Sequence, residues 1–346
     1  MNASLIHLMG ELRPSGMERM LASSAAHWPD RYRNAMVVGQ GSDHSFASDL
    51  EFAGYDVRFV PKLTSFRGMV QLWGLARSNR DAVWNIHVER EYAIMAVILR
   101  SAGARRIVRT VHNVFPRAGG KGLIRTMANR VGDRCSRAVV AVSDDVAIHE
   151  RAFGRRTTTI LNWVDDRFFE AARSRQSAPD VGEIFALVGN CSSIKNHEFA
   201  LSALPPEARL IHLGDETNAA AEEIAQLDDL EKQGRLIARG VKDPARYLAE
   251  TDIFLMPSLH EGMGVALAEA TVSGCHVLAA DSPGLRWSRG LPGVELLPLD
   301  QALWRRRIRE PIQAIAGTRS VVDLLASRGT REYAKLYDEV VRQCTY

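Results

Sequence analysis

Short apolar runs alternate with stretches of helical spacing along almost the whole chain of 346 residues. In the first half the runs are 4–8, 35–38, 57–60, 83–86, 107–111, 139–142 and 158–161. Several are apolar throughout, which suits strands buried on both faces of a parallel sheet. Helix candidates such as 45–53 and 70–78 lie between them. After Phe169 the chain turns polar, and 171–180 reads as an interdomain linker. The alternation then resumes at 184–188, 210–213, 236–238, 253–256, 277–280 and 294–297. The last stretch, 318–343, has helical spacing (Val322, Leu325, Tyr333, Leu336, Tyr337, Val340), with Gly329 marking a break between two helices. Two successive βαβ series predict an α/β protein of two doubly wound, Rossmann-like parallel-sheet domains facing across a cleft, with ligands beyond the carboxyl ends of the strands. The boundaries read as a first domain over 1–168, a linker over 169–182, a second domain over 183–328, and a C-terminal helix over 329–346 that crosses back to the first.

Composition adds constraints. With 46% hydrophobic and 25% charged residues, the chain is globular rather than disordered. Cys135, Cys191, Cys275 and Cys344 lie far apart with no CxxC pairing, a spacing that favours reduced thiols over a disulfide framework or a zinc site. No apolar run approaches the ~18 residues of a membrane span, and the first strand-like run begins too early to leave room for a signal peptide. The expected location is therefore cytoplasmic. The net charge of +3 conceals an asymmetry: residues 1–165 carry 23 Lys+Arg against 15 Asp+Glu, a balance of +8, and the remainder carries −5. Between Arg100 and Arg137 there are ten basic residues and one acidic residue, Asp133. Over 121–137, Leu123, Ile124, Met127, Val131 and Cys135 share one helical face, with Lys121, Arg125, Arg130, Arg134 and Arg137 around the rest. Such a helix either packs its apolar face on the core or adsorbs to anionic lipid at the inner face of a membrane. Aromatic residues do not interleave with these arginines, which disfavours nucleic acid as a partner.

The strongest local feature runs from Met256 to Ala270, MPSLHEGMGVALAEA. A strand ends at Pro257 and a helix starts near Gly264. Gly262 and Gly264 remove side chains where a ligand could approach the backbone N–H groups of the helix N-terminus, a ready anion site. Taken alone, Glu261 could complement the helix dipole and Glu269 could be a solvated helix residue. Gly39-Gln-Gly41 lacks the third glycine of a dinucleotide fingerprint, and 10–16 lacks the Lys-Ser/Thr of a P-loop.

In context, Glu261-(x7)-Glu269 resembles the E-x7-E signature of retaining glycosyltransferases with the GT-B fold, most closely glycosyltransferase family 4 (glycosyl transferases group 1). Other segments agree in order. Ser15-Gly16-Met17-Glu18-Arg19 resembles the family's glycine-rich acceptor loop, Thr110-Val111-His112-Asn113 its Thr-x-His-Asp/Asn segment, and Leu161-Asn162-Trp163-Val164-Asp165 its interdomain crossover. The stretch 188–196 resembles its Gly-Arg-Leu-x-x-x-Lys-Gly phosphate loop. The resemblance implies a nucleotide-sugar donor, no cofactor and no metal, in keeping with the lack of an Asp-x-Asp motif. It implies that His112, Lys195 and Glu261 are catalytic: Lys195 would meet the diphosphate, Glu261 the donor-sugar hydroxyls, and His112 would sit over the sugar. Donor contacts would come from Gly189, Asn190, Lys195, Val241, Gly262, Met263, Gly264, Val265 and Glu269, the last holding the ribose. Val241 belongs to a base-framing turn, 239–244, where Asp243-Pro244 also reads as N-cap plus first helical residue. Ser15, Gly16 and Asn113 would lie on the acceptor side.

This chain departs from the pattern at Asn190 (usually Arg, with Arg239 and Arg286 as candidate substitutes), Trp163 (usually Gly) and Met263 (often Phe). Ser15 replaces a glycine and fits if its φ is negative. The implied function is retaining, metal-independent hexosyl transfer to a hydroxyl of a glycan, lipid-linked or anionic sugar, or small molecule, as in polysaccharide or glycoconjugate biosynthesis. The alternatives are a non-catalytic nucleotide-sugar-binding subunit, or an epimerase or phosphorylase on the same fold.

Overall fold

The computed structural model describes residues 4–113, 120–174, 183–310 and 320–344. The chain forms two compact units, Met1–Asn162 with Ala326–Tyr346, and Trp163–Leu325. The first holds β1 (Leu5–Leu8), α1 (Gly16–Ser24), β2 (Ala35–Gln40), α2 (Ala47–Ala53), β3 (Asp56–Val60), α3 (Phe66–Ser78), β4 (Val83–Ile86), α4 (Tyr92–Ser101), β5 (Ile107–Val111), α5 (Gly120–Cys135), β6 (Ala138–Ala141), α6 (Asp144–Arg151) and β7 (Thr158–Thr159). The second holds α7 (Asp166–Ser174), β8 (Ile184–Val188), α8 (His197–Leu201), β9 (Arg209–Leu213), α9 (Ala221–Lys232), β10 (Leu236–Gly240), α10 (Pro244–Leu248), β11 (Ile253–Met256), α11 (Val265–Val272), β12 (His276–Ala280), β13 (Val294–Leu297) and α12 (Gln301–Arg307). The final helix, α13 (Ala326–Gln343), returns to the first unit.

Every apolar run named from the sequence becomes a strand. They form a seven-stranded sheet ordered β3-β2-β1-β4-β5-β6-β7 and a six-stranded sheet ordered β10-β9-β8-β11-β12-β13. All pairings are parallel, with β1 between β2 and β4 (Leu5 opposite Ala35 and Val83). Strands β1, β2, β4, β5, β11 and β12 are buried at every position, which explains why their sequences do not alternate. On one face of the first sheet, Ile6, Leu8, Trp84 and Ile86 pack with Leu72 of α3 and Met95 and Leu99 of α4. On the other, Asn85 donates to Tyr337 of α13 (2.8 Å), and Arg31 pairs with Asp338 (2.6 Å).

Several expectations are corrected. The first unit ends at Asn162 rather than 168, and the start of the expected linker is the helical α7. Its Phe168 is fully buried, so burial overrides the polar character that suggested a linker; residues 175–182 lie outside the described residues. The second unit ends at Leu325, where the backbone turns extended (φ −68°, ψ 138°), and Gly329 lies buried inside an unbroken α13. A helical glycine costs about 1 kcal/mol. Here the helix is held by packing on 25–27, to which Thr330 hydrogen-bonds at His27 O (3.2 Å).

The last correction concerns α5, whose apolar stripe is not buried throughout. Of that stripe, Cys135 packs against the core of the first sheet, and the side chains of Leu123 and Ile124 lie outside the described residues. Met127 and Val131 are exposed, while Asn129 and Gly132 are buried. Gly132 abuts Tyr92 and Ala93 of α4, an approach that a larger residue would block.

A buried charge cluster braces β5. The Arg109 guanidinium, 1% exposed, meets Glu89 (2.8 Å) and Glu150 (3.2 Å) and lies over the Tyr92 ring (4.3 Å). Arg155 pairs with Asp133 (2.5 Å) and with Glu150. Removing one member of such a cluster strands the others without water. Arg109→Ala is expected to destabilise the fold by about 3–5 kcal/mol, measured by urea unfolding against the wild type.

Candidate functional site

In the second unit the implied donor residues gather on loops at the carboxyl ends of β8 and β11. The first loop leaves β8 at Gly189, whose φ of +149° lies in glycine-favoured space and whose missing side chain leaves room for the Lys195 stem. Backbone bonds tie this loop to the end of β9: Gly189 N–H to Leu213 O (2.8 Å) and Cys191 N–H to Asp215 O (2.9 Å). The Asn190 side chain, where the family has arginine, accepts from Asp215 N–H (3.1 Å) and so braces the same junction. The loop closes at Asn196, the only non-glycine residue described with positive φ (55°), whose Nδ2 donates to Pro257 O (3.2 Å). Asparagine tolerates this region through its short polar side chain.

The second loop, 257–264, leads into α11. Leu259 N–H donates to Ile194 O (2.8 Å), joining the two loops, and Glu261 N–H donates to Pro283 O (2.9 Å). A Cβ on Gly284 would collide with the Glu261 carbonyl, so this backing turn requires glycine. Gly264 is left-handed (φ 68°) at the N-cap of α11, and no side chain caps the helix there. Its N-terminal dipole and the N–H groups that begin with Val265 are thus offered to an anion.

Between these loops lies the central pair: Lys195 Nζ is 2.7 Å from Glu261 Oε1, with both side chains partly accessible. Glu269 lies in α11 and is buried, so it is not the solvated helix residue that the local pattern allowed. The Met263 side chain is buried and its carbonyl accepts from the Trp287 indole, which limits it to a backbone role. Val241 is exposed in the turn after β10; Asp243 caps α10 by accepting from Ala245 N–H, with Pro244 in the first turn. Neither candidate substitute cation is at liberty. Arg239 pairs with Glu216 (2.9 Å), Asp228 (2.7 Å) and Glu231 (2.9 Å), and Arg286 pairs with Asp281 (2.8 Å).

In the first unit Ser15 has φ −111°, within the range any residue adopts, and it caps α1 by accepting from Met17 N–H. Its hydroxyl also bonds the buried Glu18 carboxylate, so Ser15-x-x-Glu18 is a capping box as well as the implied acceptor loop. Gly16 opens the helix and is exposed. His112 follows β5, half-buried, and Asn113 beyond it is exposed.

Sequence reading missed the partners of His112. Its Nε2 is 2.8 Å from His87 Nδ1, and His87 Nε2 is 3.0 Å from His7 Nδ1. A neutral imidazole has one donor and one acceptor nitrogen, so one choice of tautomer fixes all three rings. Burial lowers the His7 pKa to about 3 and that of His112 to about 4; it also pulls His87 well down, helped by the two neighbouring rings. The signal in the sequence was a histidine on or just past each of three neighbouring strands, β1, β4 and β5.

Comparisons with known proteins bear on the fold. Residues 182–308 match the family model described as Glycosyl transferases group 1. The D-inositol 3-phosphate glycosyltransferase of Mycobacterium marinum is 26% identical over 235 residues, 62% of this chain and 50% of that protein. The chain thus spans about half the length of the curated relative it matches. Among solved structures, Anabaena Alr3699/HepE in complex with UDP and glucose superposes with a TM-score of 0.70 at 19% identity, covering 99% of this chain and 98% of that one. The catalytic domain of starch synthase IV from Arabidopsis thaliana, bound to ADP and acarbose, gives 0.66 at 12% identity, covering 99% and 100%. The fold is therefore that of GT-B glycosyltransferases. Within it, the second unit carries the segment that matches the group 1 family.

The histidine chain predicts a pH dependence. Below the ordinary histidine pKa of 6.5, the unfolded chain takes up protons that the buried rings refuse, so stability falls as pH drops from 6.5 towards 3. At pH 5, His7 alone should cost about 2 kcal/mol relative to pH 7. Urea midpoints measured across this range check it, and His7→Phe should flatten the slope.

Proposed function

We propose that the chain is a nucleotide-sugar-dependent glycosyltransferase that retains anomeric configuration and moves a hexose-type sugar to a hydroxyl acceptor without a metal at the diphosphate. The observation that carries this reading is the Lys195–Glu261 pair beside the uncapped N-terminus of α11. Cleavage of the sugar–phosphate bond leaves the electron pair on the departing diphosphate. Lys195 and the α11 N-terminus supply fixed positive potential where that charge grows. Glu261 accepts hydrogen bonds from donor-sugar hydroxyls, and Glu269 holds the ribose. Among the described residues none is assigned as a covalent nucleophile. The acceptor oxygen therefore attacks from the face the phosphate leaves, and the phosphate oxygen takes the hydroxyl proton. The nucleotides in the related structures, UDP and ADP, support a nucleoside diphosphate as the group released.

A thermal-shift screen of UDP-, GDP-, ADP- and TDP-sugars identifies the donor through stabilisation by mass action. With that donor, Glu261→Ala and Lys195→Ala should each lower kcat by about 100-fold or more. Glu269→Ala should instead raise donor KM about tenfold or more. Full activity in any variant removes the role assigned to that residue. Donor binding without turnover across a broad acceptor panel would favour the non-catalytic reading.

A membrane-borne acceptor is favoured by one further observation. Successive packed helices of the basic unit expose apolar side chains: Phe66, Val70 and Trp73 on α3, Ile94 and Val97 on α4, and Met127 and Val131 on α5. Exposed Arg67, Arg77, Arg100, Arg130 and Arg134 lie on the same helices. Apolar insertion beside basic charge is the chemistry of adsorption to anionic lipid. No described helix is long and apolar enough to cross a membrane. Co-sedimentation with anionic vesicles is expected, weakening with salt and with Trp73→Glu; no binding at low salt would exclude it.

A further inference from the structure

Four buried side chains of the second unit, none of them Lys195 or Glu261, converge on one point. They are Cys191 in the loop after β8, His197 at the start of α8, His212 on β9 and Glu223 in the first turn of α9. None is more than 3% exposed, and one donor atom from each lies within 4.8 Å of all the others. His197 Nδ1 stands 3.2 Å from His212 Nε2, 3.1 Å from Glu223 Oε1 and 3.9 Å from Cys191 Sγ. His212 Nε2 stands 3.7 Å from Cys191 Sγ and 3.6 Å from Glu223 Oε1.

Hydrogen bonding does not account for this convergence. A ring nitrogen carries at most one proton, yet each of these two faces three acceptors or weak donors at once. Zinc bond lengths of about 2.0–2.3 Å place the edges of a tetrahedral ligand set at about 3.3–3.8 Å. The observed separations bracket that range.

We propose that Cys191, His197, His212 and Glu223 form a structural zinc site. Thiolate and imidazole ligands suit zinc rather than the hard cations magnesium and calcium. One thiolate and one carboxylate cancel the dication's charge, so the filled site is neutral in a buried setting. Four protein ligands close the coordination sphere, which makes the site structural and separate from sugar transfer.

The surroundings fit the same assignment. Metal on His212 Nε2 puts the ring proton on Nδ1, an atom with no hydrogen-bond partner among the described residues. The nearest carboxylate to it, Glu216 Oε1 at 3.7 Å, is itself held by Arg239. Histidine ligands to zinc are commonly oriented by such a carboxylate. Cys191 and His197 bracket residues 192–196, so the metal pins the loop that presents Lys195.

Protein purified without a metal-affinity column is analysed by inductively coupled plasma mass spectrometry. About one equivalent of zinc per chain is expected in the wild type and in Cys275→Ser, and near-complete loss in Cys191→Ser and His212→Ala. Should those variants fail to fold, cobalt titration of chelator-treated wild type still decides. A thiolate-to-cobalt charge-transfer band with tetrahedral visible bands supports the site, as does a lowered Tm in the chelated protein. Zinc-free wild type that shows no cobalt band overturns the proposal. So does zinc retained by a folded Cys191→Ser variant. These readouts do not depend on transferase activity, so they fail or succeed apart from the functional reading above.

Discussion

Parallel pairing is the constraint from which the rest follows. A parallel strand cannot return through a tight turn, so each link crosses a face of the sheet, and the loops that leave the strands collect along one edge. In each unit by itself, most groups implicated in chemistry follow the carboxyl ends of strands: Ser15 after β1 and His112 after β5 in the first, Gly189 to Lys195 after β8 and Glu261 to Val265 after β11 in the second. The strands are mostly apolar, while the loops bear most of the polar groups implicated in transfer. Glycines at 189, 264 and 284 allow those loops to approach one another closely.

The charges of the second unit are sharply localised. It belongs to the acidic part of the sequence, yet an anionic diphosphate would need positive potential there. Several arginines are neutralised by nearby carboxylates, as Arg239 is by Glu216, Asp228 and Glu231. Lys195 is paired too, but with Glu261, a group that itself stands at the uncapped helix end. A bound donor can therefore exchange one partner for another without leaving a buried charge alone. On the proposed reading, binding would depend on rearranging a preformed pair rather than on attraction by bulk charge.

The strands were legible because burial on both faces imposes continuous apolar runs, and that signal is local. The Glu261–Glu269 segment was legible because its glycines and acids are contiguous in sequence. What escaped was set by contacts between distant segments. The polar stretch after Phe169 looked like a linker because the buried residue of α7, Phe168, stands just before it. Gly329 looked like a break because nothing local reveals that α13 packs on residues 25–27. Cys191, His197, His212 and Glu223 are separated by 6, 15 and 11 positions, a spacing with no periodicity. Their meeting depends on β8 and β9 being adjacent and on α9 following β9.

The return of α13 bears on the order of folding. The second unit is continuous in sequence, whereas the first unit needs residues from both ends: Arg31 meets Asp338, and Asn85 meets Tyr337. Contacts spanning about 250–300 positions close slowly, because chain entropy is lost before they form. During synthesis the Trp163–Leu325 unit can complete its core while the first sheet still lacks the helix whose Tyr337 and Tyr333 meet Asn85 and Thr110. The amino-terminal unit is made first and finished last. Until α13 arrives, a polar seam in its sheet stays open to water, a vulnerable interval for recognition by chaperones or proteases.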